Sequence, residues 1–138
     1  MVSKLVHVGI ATRSIAVSAE FYRALGLTID RVEVREADQI RVAVLRLEGC
    51  SIELMEPISE RSPVHRFLEN RGEGIHHIAL QSEDLESELR TLAARGTRLI
   101  DREPRPGAEG REIAFVHPHS TSGVLIELCQ CEEEEEGS

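Results

Sequence analysis

The segment HVGIATRSIAVSAEFYRALGL (residues 7–27) decides the fold, because its pattern returns 70 residues downstream as HIALQSEDLESELRTLAARGT (residues 77–97). Each copy opens with a strand pattern that carries a histidine, His7 or His77, and continues into a polar turn. An amphipathic helix pattern of about three turns follows, and a glycine ends it. Internal repetition of this kind predicts two structurally equivalent modules.

The residues that begin and end helices stand at the same places in both copies. Ser14 and Asp84 are favourable N-caps, and Gly26 and Gly96 suit the position just after the last helical turn. The apolar residues between them recur at the helical period and predict one buried face on each helix. They are Ile15, Ala19 and Tyr22 in the first copy and Leu85, Leu89 and Leu92 in the second.

Three strand patterns follow each predicted helix. In the first copy they are LTIDRVEV, IRVAVLRL and CSIELME, and in the second TRLI, EIAFVH and GVLIEL, with EPRPGAEG and HPHSTSG as turns. The sequence therefore predicts an α+β fold of two pseudo-symmetric βαβββ modules. We expect one domain over residues 1–129: module one at about 5–56, a linker with a helix start at Ser62-Pro63 over 57–74, and module two at about 75–129.

Composition excludes several classes of protein. The net charge is −9, and five of these charges form the run Glu132–Glu136 in the predicted disordered tail, residues 130–138. An acidic chain is a poor candidate for nonspecific nucleic-acid binding. No apolar run approaches the roughly 18 residues of a membrane span, and no secretion signal is recognisable. Three cysteines give no disulfide framework, so we expect a cytoplasmic protein.

Four residues stand at equivalent places in the two modules. Each module opens with a strand histidine, His7 or His77, and closes with a strand that holds one glutamate among apolar residues, Glu53 in SIELM or Glu127 in VLIEL. A buried carboxylate is costly unless it is paired or bound. Two histidines and two glutamates would line a cleft and suit a divalent cobalt, nickel, manganese, iron or zinc ion.

Strand alternation separates the adjacent histidines of GEGIHHIAL (residues 72–80). His77 matches His7 in the repeat and is the predicted ligand, whereas His76 is expected to be packed or locally hydrogen-bonded. Gly9 shares a face with His7, and Ala79 shares a face with His77. Small residues at these places are expected to leave room for a ligand.

The loop VHPHSTSG (residues 116–123) allows two interpretations. One is turn chemistry around Pro118. The other is contact with a substrate, in which case the candidate residues are His119, Ser120, Thr121 and Gly123.

These residues together resemble the vicinal oxygen chelate superfamily and, within it, the methylmalonyl-CoA epimerases. The resemblance rests on HVGIATRSI, on IELMEPISERSPVHRFLENRGEGIHHIAL and on LIDREPRPGAEGREIAFVHPHSTSGVLIEL, and covers about residues 5–129. It implies a divalent metal ion, most often cobalt, and a homodimer. It also implies interconversion of (2R)- and (2S)-methylmalonyl-CoA in propionyl-CoA metabolism.

The resemblance places the metal ligands at His7, Glu53, His77 and Glu127. Some members carry glutamine at the position of Glu53. The family loop usually reads His-Pro-Lys-Ser, whereas this chain has His119 in place of the lysine. Some members also carry a glutamate, proposed as a proton-transfer base, where this chain has Val42.

The implied reaction removes the C2 proton of the substrate to give an enolate and returns a proton on the other face. Two acid/base groups are then required, and Glu127 and Glu53 are the candidates. Three alternatives remain open: a glyoxalase I-type isomerase or lyase acting on a thiol adduct, a metal-free small-molecule-binding module, and an iron oxygenase. Arg102, Arg105 and Arg111 are candidate contacts for CoA phosphates or surface residues.

Overall fold

The structure is a computed structural model that describes residues 1–132. It contains two compact units. The first unit is His7–Ile78, and the second comprises Met1–Val6 and the chain from Ala79 onward. Residues 133–138, which hold most of the predicted acidic tail, lie outside the described part. In that part, no helix is long and apolar enough to cross a membrane.

Both modules have the predicted order of elements, and the α+β class is confirmed. The first is β1 (Val2–Ala11), α1 (Ile15–Ala24), β2 (Ile29–Arg35), β3 (Ile40–Leu47) and β4 (Cys50–Pro57). Helix α2 (Pro63–Arg71) follows. The second module is β5 (Gly74–Ser82), α3 (Leu85–Ala94), β6 (Arg105–Pro106), β7 (Glu112–Val116) and β8 (Ile126–Gln130).

The helix ends match the sequence prediction. The side chain of Ser14 accepts a hydrogen bond from the backbone N–H of Val17, and that of Asp84 accepts one from Ser87. Gly26 and Gly96 have φ values of 89° and 84°, a left-handed conformation that favours glycine directly after a helix. The helix start at Ser62-Pro63 is also observed, since Ser62 caps α2.

In the first unit the strand order is β2-β3-β4-β1, with β1 parallel to β4 and the other neighbours antiparallel. Two apolar clusters cover the two faces of this sheet. Helix α1 packs Ile15 and Ala19 against Leu45 and Leu54 on one face. Helix α2 packs against the other face, in a cluster of Ala11, Ile40, Val42, Val44, Met55, Val64 and Leu68.

In the second unit, β7 lies between β8 and β6, and α3 packs Leu85 and Leu89 against Ala114, Val116 and Leu128. The prediction of a strand at TRLI (residues 97–100) is wrong, because only an isolated bridge joins Leu99 to Val116 there. The carboxylate of Asp101 accepts the backbone N–H of Phe115 at 2.8 Å, so a side chain replaces a ladder partner. The first of the three strands that follow α3 is instead β6, inside the segment predicted as a turn.

Candidate active site

Three of the four predicted ligands, His7, Glu53 and His77, lie together in the first unit, and all three are buried. Strand β1 runs parallel to β4, with His7 opposite Ser51 and Gly9 opposite Glu53. This register brings Nδ1 of His7 to 2.9 Å from Oε2 of Glu53. A buried carboxylate thus has a direct partner in the neighbouring strand.

The rings of His7 and His77 meet edge to face, with their Nε2 atoms 2.9 Å apart. Gly9 permits this approach, since a Cβ atom there would lie 2.3 Å from Cε1 of His77. The expectation that Gly9 leaves room for a ligand is therefore wrong: the ring of His77 occupies that space. A side chain at this position would push the ring aside.

These contacts are consistent with one arrangement of protons in neutral rings. The carboxylate of Glu53 only accepts, so Nδ1–H of His7 donates to it and Nε2 of His7 carries a lone pair. Nε2–H of His77 then donates to that nitrogen, which leaves Nδ1 of His77 as an acceptor. Nδ1 of His76 lies 3.0 Å from it and donates the last hydrogen bond. In this arrangement, one continuous series of hydrogen bonds connects Glu53, His7, His77 and His76.

The paired nitrogens fit a divalent metal ion. Metal–imidazole bonds are about 2.1 Å long, and two such bonds at a right angle hold their nitrogens about 3.0 Å apart, close to the observed 2.9 Å. The carboxylate bonded to Nδ1 of His7 fixes that ring with Nε2 directed away from it. A carboxylate behind a metal-binding histidine has this orienting effect in many metal sites.

Arg35 is the residue of this site that sequence reasoning missed. Its Nη2 lies 3.0 Å from Oε1 of Glu53 and 2.8 Å from Oε1 of Glu33. Arg35 ends β2, two strands away from β4, and only the sheet register brings it to Glu53. Two arginines and a glutamate alternating along the β2 sequence were the one signal available, and such a pattern is ordinary for an edge strand.

Glu53 is a strongly ionised carboxylate. Burial alone would raise its pKa, but the hydrogen bond and charge of His7 and the charge of Arg35 outweigh that cost and lower the pKa to about 2. Both oxygens of Glu53 are engaged, one by His7 and one by Arg35. Glu53 as a metal ligand stays a prediction, since the described residues that could hold an ion together are His7, His77 and Glu127.

His76 is packed and hydrogen-bonded, as predicted. Its ring meets that of Phe67 with centroids 4.9 Å apart. Burial lowers the pKa of His76, and the nearby Arg71 lowers it further. Burial and the neighbouring His7 and His76 lower the pKa of His77 to about 3. Neutral imidazole, the form that binds metal ions, is thus favoured at His77.

Val42 has no access to solvent and packs beneath α2 with Val44, Met55, Val64 and Leu68. No acid/base group stands at the position where some relatives carry a glutamate. Glu33 lies directly opposite Val42 in the β2–β3 register, and its carboxylate is bound by Arg35.

Glu127 belongs to the second unit. It lies on β8 opposite Phe115 of β7 and is buried. The thiol of Cys129, two residues along the same strand, donates a hydrogen bond to Oε2 of Glu127 at 3.0 Å. A buried glutamate in this strand is as predicted.

Hydrogen bonds within the loop 117–123 and to residues next to it hold its backbone, which agrees with the turn interpretation. The hydroxyl of Ser120 accepts the backbone N–H of Arg98 at 2.9 Å, and the hydroxyl of Thr121 donates to the carbonyls of Pro118 and Val124. The backbone N–H of His119 donates to Nδ1 of His117. Gly123 has a φ of 90°. Contact of this loop with a substrate stays a prediction.

Two of the three arginines proposed as phosphate contacts are engaged within the second unit. Arg105 stacks on Phe115 at 5.2 Å and pairs with Asp101. Arg111 donates to the carbonyl of Gln130 and to the side chain of Gln81. Both side chains thus have partners within the protein, and their contact with CoA phosphates stays a prediction.

Residues 6–115 match the glyoxalase/bleomycin resistance protein/dioxygenase superfamily. The chain is 43% identical to YqjC of Bacillus subtilis over 93% of its own length and 92% of that protein. It is 36% identical to the mitochondrial methylmalonyl-CoA epimerase of Dictyostelium discoideum, covering 92% of the chain and 78% of that protein. A solved methylmalonyl-CoA epimerase in complex with methylmalonyl-CoA and NH4+ superimposes with a TM-score of 0.86 at 35% identity, covering 94% and 95% of the two chains. The chain therefore belongs to the methylmalonyl-CoA epimerases, a family of isomerases within this superfamily of the vicinal oxygen chelate fold.

Proposed function

We propose that the protein interconverts (2R)- and (2S)-methylmalonyl-CoA through an enolate at C2. The observation that carries the proposal is the buried His7–His77 pair, with nitrogens at the spacing of two metal ligands, in a member of the epimerase family. A relative of known structure, to which this chain is similar over nearly its whole length, was solved in complex with methylmalonyl-CoA. Such a reaction would serve propionyl-CoA metabolism.

The residues that would hold a divalent ion are His7, His77 and Glu127, each of which is buried and offers one nitrogen or oxygen ligand atom. Glu53 is the fourth ligand predicted from the sequence, and its bond to His7 also supports the ring that binds. Two imidazoles and carboxylate oxygens suit a divalent transition-metal ion. The family resemblance favours cobalt, with nickel, manganese, zinc or iron as alternatives. When bound, the ion would supply positive charge that stabilises an enolate.

Glu127 is the proposed group that removes the C2 proton. The proton moves from C2 to a carboxylate oxygen of Glu127, while the C–H electron pair enters the enolate. The second proton-transfer group, or a water molecule, delivers a proton to the opposite face of C2, and Glu127 releases its proton to solvent, so the other epimer forms with no atom gained or lost. The thiol of Cys129 donates a hydrogen bond to Oε2 of Glu127, the oxygen atom of a carboxylate placed at the end of the second module.

Glu53 is the second proton-transfer group predicted from the sequence. A carboxylate whose pKa is about 2, held by His7 and Arg35, takes up a proton weakly. To act as a base it has to leave one of these partners. Glu127 is therefore the main proposed group for proton transfer, and Glu53 mainly orients the ring of His7.

Three further predictions stand with this proposal. His119, Ser120, Thr121 and Gly123 would contact the substrate, the protein would be a cytoplasmic enzyme, and it would form a homodimer.

A proton-exchange experiment tests the function. Metal-free and cobalt-loaded protein are incubated with (2R)-methylmalonyl-CoA in deuterated buffer, and loss of the C2 proton is followed by NMR. We expect exchange only with metal, coupled to formation of the 2S epimer. Tightly bound metal without exchange would contradict the proposal and favour a glyoxalase-type reaction on another substrate. Exchange at an equal rate without metal would contradict the role of the ion.

A further inference from the structure

Two different groups support the paired histidine rings of the candidate site. Nδ1 of His7 lies 2.9 Å from Oε2 of Glu53, and an ionised carboxylate only accepts hydrogen bonds. Nδ1 of His77 lies 3.0 Å from Nδ1 of His76, which belongs to a second imidazole ring. An imidazole nitrogen either donates or accepts a hydrogen bond, according to the tautomer. The hydrogen bond behind His77 can therefore change its direction, whereas the one behind His7 cannot.

Helix α2 holds the ring of His76 in place. This ring meets the ring of Phe67 edge to face, with centroids 4.9 Å apart, and Phe67 packs against the buried cluster beneath α2. The guanidinium of Arg71 lies 5.6 Å from the centre of the Phe67 ring. The ring of His76 is half-buried, so it is fixed by packing and still exchanges protons with water.

Binding of a metal ion by Nε2 of His77 changes what its Nδ1 needs. In the arrangement of neutral rings described above, Nε2 of His77 carries the proton and Nδ1 accepts from His76. A neutral imidazole that gives the lone pair of Nε2 to a metal ion carries its proton on Nδ1 instead. A buried N–H group without an acceptor is costly. Nδ1 of His76, at 3.0 Å, is in position to be that acceptor.

We propose that His76 is a positioning residue for His77, and that metal binding reverses the hydrogen bond between their Nδ1 atoms. The proton between the two Nδ1 atoms moves from His76 to His77. Nε2 of His77 releases its proton to solvent, and Nε2 of His76 takes one up from water, so the rings keep the same number of protons and stay neutral. This inference rests on the metal site of the proposed function and is independent of the substrate.

Two variants separate the hydrogen bond of His76 from the packing of its ring. His76→Phe keeps an aromatic ring beside Phe67 and has no hydrogen-bonding nitrogen. His76→Asn loses the ring, but its amide donates or accepts from nearly the place of Nδ1. The measurement is the affinity for zinc in competition with a chelator. We expect His76→Phe to weaken zinc binding about 10- to 100-fold and His76→Asn to stay within about threefold of wild type.

His65→Phe is the matched control. His65 lies on α2 in the same unit, where its ring pairs with Glu69 at 3.1 Å. This variant makes the same chemical change outside the candidate site, so its zinc affinity should equal that of the wild type.

NMR of the wild type tests the reversal without any substitution, and it decides the question if a variant does not fold. Correlations between ring protons and ring nitrogens in isotopically labelled protein distinguish Nδ1–H from Nε2–H. We expect His76 to carry its proton on Nδ1 in chelator-treated protein and on Nε2 after zinc is added. A purely structural role of His76 would leave its tautomer unchanged.

The outcomes separate this inference from the proposed function. The same tautomer of His76 with and without zinc would overturn the reversal. Wild-type zinc affinity in His76→Phe, or an equal loss in His76→Asn, would overturn the positioning role. A wild type that binds no zinc would overturn the metal site and this inference together. The expected zinc results without C2 exchange in cobalt-loaded protein would support the inference and contradict the proposed reaction alone.

Discussion

Glu53 and Glu127 occupy equivalent places in the two modules, and they have different neighbours. Both stand in the last strand of a module and are buried to a similar degree, with 5% and 7% of their surface exposed. Glu53 is bound by a histidine ring and a guanidinium, His7 and Arg35. Glu127 accepts a hydrogen bond from a thiol, that of Cys129.

The repeat therefore fixes where a carboxylate lies, whereas the neighbouring strands decide what it can do. A carboxylate between two strong donors is held ionised and oriented, which suits the support of a metal-binding ring. Glu127 has a contact of another kind, a hydrogen bond from the thiol of Cys129.

The variants Glu127→Gln and Glu53→Gln test most directly whether the two glutamates have different roles. We expect Glu127→Gln to lower kcat by about 10²- to 10⁴-fold, the usual contribution of a general base. Glu53→Gln should stay within about tenfold of wild type, because an amide oxygen still accepts Nδ1–H of His7. The rate of C2 deuterium exchange in metal-saturated protein measures both.

Metal content has to be known in the same samples, since Glu127 is also a proposed ligand. Elemental analysis of the protein after gel filtration shows whether each variant retains its ion. Wild-type turnover in metal-bound Glu127→Gln would remove this residue from the reaction. A larger loss in Glu53→Gln than in Glu127→Gln would reverse the proposed roles.

Arg35 is the partner of Glu53 that the sequence did not reveal, and its removal tests how strongly that carboxylate depends on a neighbouring cation. Arg35→Met leaves one oxygen of the buried Glu53 without its guanidinium, and we expect a loss of about 2 kcal/mol in the free energy of unfolding. Arg35→Lys should recover part of it. The measurement is urea unfolding of chelator-treated protein.

A double-mutant cycle isolates this contact. In the Glu53→Gln background, Arg35→Met should cost about 0.5 kcal/mol or less, since no buried charge then needs a cation. An equal cost in both backgrounds would show that Arg35 stabilises the protein through other contacts, such as its bond to Glu33.

The module order, the helix caps and the strand histidines could be predicted because each leaves a local signal: a period, a cap residue or a repeated position. Ser14, Asp84, Gly26 and Gly96 illustrate this, since their roles depend on the backbone within a few residues. His77 was distinguishable from His76 because strand alternation and the repeat agree.

What the sequence could not reveal depends on register between distant strands. Arg35 reaches Glu53 across β3, and no local pattern states which residue of an edge strand will do so. The space at Gly9 was misassigned for the same reason, because the ring that fills it comes from β5. The strand predicted at residues 97–100 is not formed, and the backbone N–H of Phe115 donates to the side chain of Asp101 instead of to a strand partner.

As pH falls, the free energy of unfolding should decrease first through protonation linked to His77 and then through protonation linked to Glu53. For His77 the folded pKa of about 3 lies below the ordinary value of 6.5, so the unfolded state binds more protons between them and stability falls as pH drops below 6.5. For Glu53 the folded pKa of about 2 lies below 4.5, so its contribution is present above 4.5 and lost as pH falls toward 2. Each group contributes a slope of up to about 1.4 kcal/mol per pH unit. The measurement is urea unfolding of metal-free protein across this pH range. The free energy of unfolding should depend less steeply on pH above pH 4.5 in His77→Gln, and less steeply below pH 4.5 in Glu53→Gln. Identical slopes in wild type and both variants would mean that neither contact network is present in solution.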